Sequence, residues 1–107
     1  MKSPPHSRDV FVAIADPRRR ALLDLLREGE RSVGSLVDEF DVSFSAISQQ
    51  LGALREAGLV VVRPDGRSRL YAATPAPLQT VHDWTDQYRA FWRGRLRKLD
   101  EYLKARA

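Results

Sequence analysis

VSFSAISQQLGALREAGLVV, residues 42–61, is the stretch whose reading decides the fold of this chain. Ile47, Leu51 and Leu54 fall at i, i+4 and i+7, which puts three aliphatic side chains on one face of a helix and turns that face inward. Ser45, Ser48, Gln49 and Gly52 occupy the other face, where every side chain is short or an uncharged hydrogen-bonder. Ser43 is placed to cap the start through its hydroxyl. Arg55 sits in the last turn, where the helix dipole favours a cation, and Gly58 suits the left-handed position just past the end. Neither Glu nor Lys occurs between Ser43 and Leu54. A solvated face ordinarily carries both, so this one is suited to a surface dense in negative charge and hydrogen-bonding edges. Taken alone, the stretch also fits an amphipathic helix with an ordinary polar side, and the neighbouring segments decide between the two.

Upstream, residues 1–8 read as a flexible leader, with Pro4 and Pro5 opposing helix. Asp9 is placed to cap a first helix whose Val10, Phe11, Ala13 and Ile14 supply apolar surface. Asp16-Pro17 reads as an N-cap followed by a proline at the first helical position, opening a second helix over Arg18 to Glu28 that presents Leu22, Leu23, Leu25 and Leu26 and ends at Gly29. Arg18, Arg19 and Arg20 crowd its first turn, where the dipole disfavours cations, so a phosphate or an acidic neighbour would relieve them. A third helix, from Gly34 or Ser35 to Phe40, is capped by Ser32 or Gly34 and buries Leu36, Val37 and Phe40. Asp38, Glu39 and Asp41 make it acidic and unfit to lie along phosphates. With the short link Asp41-Val42, the third and fourth helices form a helix-turn-helix in which the fourth is the reader of bases.

Downstream, the period changes to that of strands. Leu59 to Arg63 and Ser68 to Ala73 flank Pro64-Asp65-Gly66, which has the chemistry of a tight turn. The resulting hairpin carries Arg63, Arg67 and Arg69, and its position directly after the helix-turn-helix makes it a candidate wing for backbone or minor groove. Past Pro75 and Pro77 the pattern predicts one long helix over about 78–104, spanning about 40 Å. On it Trp84, Tyr88, Phe91, Trp92, Leu96, Leu99 and Leu103 recur at spacings of three and four. The other helices are too short to cover this stripe, which points to a homodimer sealed by the last helix with help from Phe11 on the first.

The chain has 107 residues, 43% hydrophobic and 30% charged, enough for one globular domain over 9–107 that buries only about two-thirds of its unfolded surface. Eighteen Lys and Arg against fourteen Asp and Glu, with a pI near 10.0, direct attention to nucleic acid or another anionic partner. The absence of cysteine excludes disulfides, thiolate metal sites and cysteine nucleophiles. No apolar run is long enough to span a membrane and MKSPPHSRD has no apolar signal core, so the expected location is the cytoplasm. Two histidines far apart and no glycine-rich phosphate loop argue against an enzyme.

ADPRRRALLDLL and VSFSAISQQLGALREAGLVVVRPDGRSRLYA together resemble the second helix, recognition helix and wing of the ArsR/SmtB family of winged-helix repressors, over about residues 9–104. The expected fold is therefore mainly α with a small β-hairpin, a winged helix-turn-helix in the order four helices, two strands, one helix. The resemblance implies a symmetric dimer that sits on an inverted-repeat operator in double-stranded DNA and blocks transcription. Metal-sensing members use cysteines on the third helix or His and carboxylate pairs on the last. LVDEFDVS holds no cysteine, and His82 with Asp86 at i, i+4 lacks a second histidine, so neither a metal nor a cofactor is expected. On this reading Ser45, Ser48 and Gln49 face base edges, with Gln49 matched to adenine, and Phe44 meets a thymine methyl. Ser43, Arg18, Arg20, Arg63, Arg67 and Arg69 hold phosphates. Two alternatives stay open: a winged-helix module that binds protein, and the same DNA-binding fold controlled by a metal or by a small organic ligand held by Trp84, Tyr88, Phe91 and Trp92.

Overall fold

The computed structural model describes residues 5–106, with the side chains of residues 10–106. Six helices and three short strands follow one another as α1 (Pro5–Ala15), α2 (Pro17–Arg27), β1 (Arg31–Ser32), α3 (Val33–Glu39), α4 (Phe44–Glu56), β2 (Val60–Asp65), β3 (Ser68–Ala73), α5 (Leu78–Asp86) and α6 (Arg89–Arg106). Side-chain caps set three of the helix starts. Asp16 Oδ1 accepts from the Arg18 amide at 2.8 Å, Ser32 Oγ from the Ser35 amide at 3.2 Å and Ser43 Oγ from the Ala46 amide at 3.1 Å. At the far end of α4 the Gly58 amide donates to the Arg55 carbonyl at 3.0 Å and the Leu59 amide to the Leu54 carbonyl at 2.9 Å. This is the Schellman pattern, with Gly58 at φ 77° as the left-handed residue.

Leu22 and Leu26 of α2, Leu36 of α3 and Ile47, Leu51 and Leu54 of α4 form the core, closed by Ala57, Leu59 and Val60 where the chain leaves α4. Leu22, Leu36, Leu51, Leu54 and Leu59 are wholly inaccessible. Val10 and Ala13 of α1 are buried as well, and Tyr71 and Ala73 bring β3 onto the same cluster. The sheet has the order β1-β3-β2, antiparallel throughout, with Arg31 opposite Tyr71 and Val62 opposite Tyr71 from the other side. Across it, Arg63 of β2 reaches Glu30, donating from Nε to Oε2 at 2.9 Å and from Nη2 to Oε1. The guanidinium hydrogen bonds hold the Glu30 carboxyl below its ordinary value of 4.5, and the carboxylate raises the Arg63 guanidinium in turn.

Several boundaries differ from the sequence reading. The backbone of α1 starts at Pro5 and places Asp9 inside the helix; proline is tolerated at the first helical position because its missing N–H would have no partner there. The expected leader lies outside the described residues as far as residue 4, and residues 5–8 belong to α1. The hairpin turn is Gly66-Arg67, with Gly66 at φ 61° in the first of two turn positions, as a type II′ turn requires. Pro64 and Asp65 lie within β2, where an edge strand has no need of a proline N–H. The single long C-terminal helix is two. At the joint the Gln87 and Tyr88 amides turn to the Trp84 and Thr85 carbonyls three residues back, and the Thr85 hydroxyl donates to the His82 carbonyl at 3.0 Å. No residue of α5 or α6 is buried, and the radius of gyration is 18.7 Å against about 13 Å for a compact chain of this length.

Truncating Leu51 to Ala should cost about 2–5 kcal/mol, read as a lower urea midpoint at an unchanged slope. The Glu30 carboxyl should titrate below 4.5 by NMR and move back toward it in Arg63→Gln. Because the pair forms only on folding, its contribution is complete above the unfolded value and fades as pH falls through the lowered native one.

Candidate nucleic-acid interface

Burial of Ile47, Leu51 and Leu54 fixes which side of α4 looks outward. Ser45 and Gln49 are exposed there, and Phe44, at the first helical position, is 61% accessible. Ser48 is half-buried because it faces a cleft of about 490 Å³ between α4, the start of α3 and the wing. Phe44 and Ser48 line one wall of this cleft, Val33 and Gly34 its floor, and Arg67, Arg69 and Tyr71 the other wall. Two of the four residues expected to read bases, Phe44 and Ser48, therefore share this cleft with Arg67 and Arg69 of the wing. Arg67 stands at the tip of the hairpin and Arg69 on β3, both exposed. Neither enters an ion pair among the described residues.

The other cations assigned to phosphate divide. Arg18 is exposed beside the first half of α4, at the rim of a small cavity of about 80 Å³ lined by Leu22, Ala46, Ile47 and Gln50. Arg63 is committed to Glu30 and so is not a free cation of the wing. Arg20 is turned to the end of α1, where its Nη1 donates to the carbonyls of Ile14 at 2.7 Å and Ala15 at 3.3 Å. Arg19 and Arg20, two of the three arginines in the first turn of α2, thus face the negative end of the preceding helix. Ser43 already accepts the Ala46 amide, which leaves its hydroxyl proton to give.

Two residues that sequence reasoning passed over also belong here. Tyr71 forms part of the cleft wall, and Gln50, beside Gln49 in sequence, points inward to accept a hydrogen bond from Arg19 Nη1 at 3.0 Å. Sequence separates the two glutamines only by phase: Gln50 lies on the flank next to Ile47 and Leu51.

The C-terminal helices present the expected stripe uncovered. Trp84, Phe91, Trp92, Leu96, Leu99 and Leu103 are all at least half exposed, and Tyr88 nearly so. Phe11 meets Trp84 edge-on at 5.9 Å, and Trp84 meets Tyr88 at 5.5 Å. His82 and Asp86 do not act as a pair: His82 Nδ1 lies 3.7 Å from Asp83, while Asp86 faces Arg89 at 3.6 Å. Among the described residues no group of three His, Asp or Glu side chains is placed to hold a metal ion. No helix among them is long and apolar enough to cross a membrane.

Residues 16–62, from the cap of α2 to the middle of β2, match the family model described as bacterial regulatory protein, arsR family. The transcriptional repressor SdpR of Bacillus subtilis is 34% identical over 76 residues, covering 71% of this chain and 84% of that protein. The HTH-type transcriptional regulator Rv2034 of Mycobacterium tuberculosis is 38% identical over 78 residues, 73% of either chain. Among solved structures, the ArsR-like transcriptional regulator from Rhodococcus sp. RHA1 superimposes with a TM-score of 0.73 at 30% identity, over 94% of this chain and 92% of that one. Cleft, wing and relatives agree: the chain belongs to the ArsR family of bacterial regulatory proteins and is a helix-turn-helix transcriptional regulator, not an enzyme.

Proposed function

We propose that the protein is a cytoplasmic, dimeric repressor that occupies an inverted-repeat operator, its own promoter region included. The observation that carries this reading is the cleft that Phe44 and Ser48 of α4 share with Arg67 and Arg69 of the wing, with Ser45 and Gln49 exposed on the same helix. Residues 9–107 act as one DNA-binding unit. Ser45, Ser48 and Gln49 read base edges, with the Gln49 amide matched to the N6 and N7 of adenine, and Phe44 covers a thymine methyl. Arg18, Arg67 and Arg69 hold phosphates and, with Ser43, fix the register. Arg20 and Arg63 drop out of this set because their guanidiniums serve the fold.

The dimer follows from α5 and α6. An aromatic and leucine stripe left about half exposed or more among the described residues is the kind of surface that a second copy buries. A two-fold axis through these helices sets two copies of α4 into successive major grooves about 34 Å apart. The reading as a protein-binding module is the weaker one, since its docking helix would show apolar residues where α4 shows Ser45 and Gln49.

In sedimentation equilibrium the chain should run at twice its own mass, and Leu96→Glu with Leu99→Glu should yield monomers that lose specific binding. On DNA from immediately upstream of its own gene, Gln49→Ala should relax preference at one base by about 1–3 kcal/mol. Arg67→Ala should weaken all duplexes alike and lower the salt slope by about 1, whereas Arg63→Ala should leave that slope unchanged. Full discrimination by Gln49→Ala at every position would remove Gln49 from the base-reading set.

A further inference from the structure

The last four carbonyls of a helix have no partner within it. In α1 these are Val12, Ala13, Ile14 and Ala15, and two guanidiniums of α2 take up all four. Arg20 serves Ile14 and Ala15. Arg19 donates from Nε to Ala13 at 2.7 Å and from Nη2 to Val12 at 3.2 Å. Among the described residues the Arg20 side chain makes no other hydrogen bond or ion pair. Arg19 has a third partner, since its Nη1 donates to Gln50 Oε1 at 3.0 Å, on the recognition helix 31 residues away.

We propose that Arg19 is a positioning residue that couples α1, and through Phe11 the aromatic helix α5, to the orientation of the recognition helix. This inference rests on the operator-binding reading above. The guanidinium is planar and its three donating nitrogens keep a fixed fork, so the Gln50 amide is held at a set place relative to the end of α1. Gln50 precedes Leu51 and follows Gln49, so a shift at Gln50 turns the base-reading side chain with it. The apolar face of α4 settles that the helix is packed; the fork settles how far it is rotated. Directly before the capped carbonyls, Phe11 of α1 meets Trp84 of α5 edge-on. Repacking of the aromatic helices therefore reaches Gln49 through one part-buried guanidinium, and by linkage the occupied operator must act back on Trp84.

Arg20 supplies the internal control, because it caps the same helix from the same turn without touching α4. Binding of the full chain to its upstream duplex and to a scrambled duplex of equal length would be compared for the parent, Arg19→Lys, Gln50→Leu, the double variant and Arg20→Lys. Arg19→Lys keeps the charge at the end of α1 and loses the fork. It and Gln50→Leu should each cost about 5- to 50-fold on the upstream duplex and nothing on the scrambled one, and the double variant should be no worse than either. Arg20→Lys should leave the ratio between duplexes unchanged. In protein labelled with 5-fluorotryptophan, the fluorine signal absent from Trp84→Phe should move when the parent binds the upstream duplex and stay in place in Arg19→Lys. Equal losses in Arg19→Lys and Arg20→Lys, multiplying losses in the double variant, or a Trp84 signal that responds alike in parent and Arg19→Lys would overturn the coupling while leaving the operator reading intact. A parent that does not distinguish the duplexes would overturn both.

Discussion

Everything else in this molecule depends on the wedge of Ile47, Leu51 and Leu54 between Leu22 and Leu36. Each of these side chains, removed from water, contributes about 1.5–3 kcal/mol. More important for function, three contacts along one stripe leave a helix no freedom to roll by a residue. Core packing therefore puts Ser45 and Gln49 on the outside, and in the proposed coupling the finer rotation of α4 is left to the contact of Arg19 with Gln50. The Schellman closure at Gly58 then turns the chain straight into β2, and the two-residue turn at Gly66 returns it so that Tyr71 packs on the core and Arg67 and Arg69 flank the cleft.

What could be read from the sequence was what local chemistry specifies. Asp16 and Ser43 cap the helices they were expected to cap, Ser32 is the one of two candidates, with Gly34, that caps α3, and the buried residues of α2, α3 and α4 are those on the apolar phase. Pairings between distant residues could not be read that way. β1 is two residues long and exists only because β3 lies beside it. Nothing near Arg63 announces Glu30, and nothing near Arg20 announces the end of α1 as its partner. The joint between α5 and α6 has neither glycine nor proline; only the Thr85 hydroxyl and a tightening of two amide bonds mark it. For the site, the helix face was legible by period and the wing arginines by position, but which arginines stay free was decided by tertiary contacts.

Charge is distributed otherwise than the basic pI suggests. Between Arg89 and Arg106, α6 carries seven cations and two carboxylates, a net of +5 where the whole chain has +4, so the remainder is left at −1. Of that remainder Asp83 and Asp86 belong to α5, so residues 1–77 carry eleven cations and ten carboxylates and have almost no surplus of positive charge to offer DNA. In the proposed operator complex their attraction for phosphate would come from where Arg18, Arg67 and Arg69 stand, within a screening length of about 8 Å.

The same division bears on stability. The buried core runs from Val10 to Val60, with Tyr71, Ala73 and Leu78 packed on it, and nothing in α5 or α6 is buried. The body therefore has its core without a partner, whereas α6 buries none of its residues and so lacks the tertiary packing that supplies most helical stability. Arg95 over Phe91 at 4.7 Å and Arg106 over Tyr102 at 5.5 Å support it locally, but each such contact is worth only about 0.5–1 kcal/mol at the surface. In the proposed dimer, order in α6 and association are thus one equilibrium that depends on protomer concentration. The spacing of the two reading helices is set by that equilibrium, while the reading surface of each is set by the core. Affinity for a two-fold operator would rise with expression, although each protomer arrives already folded to read its half.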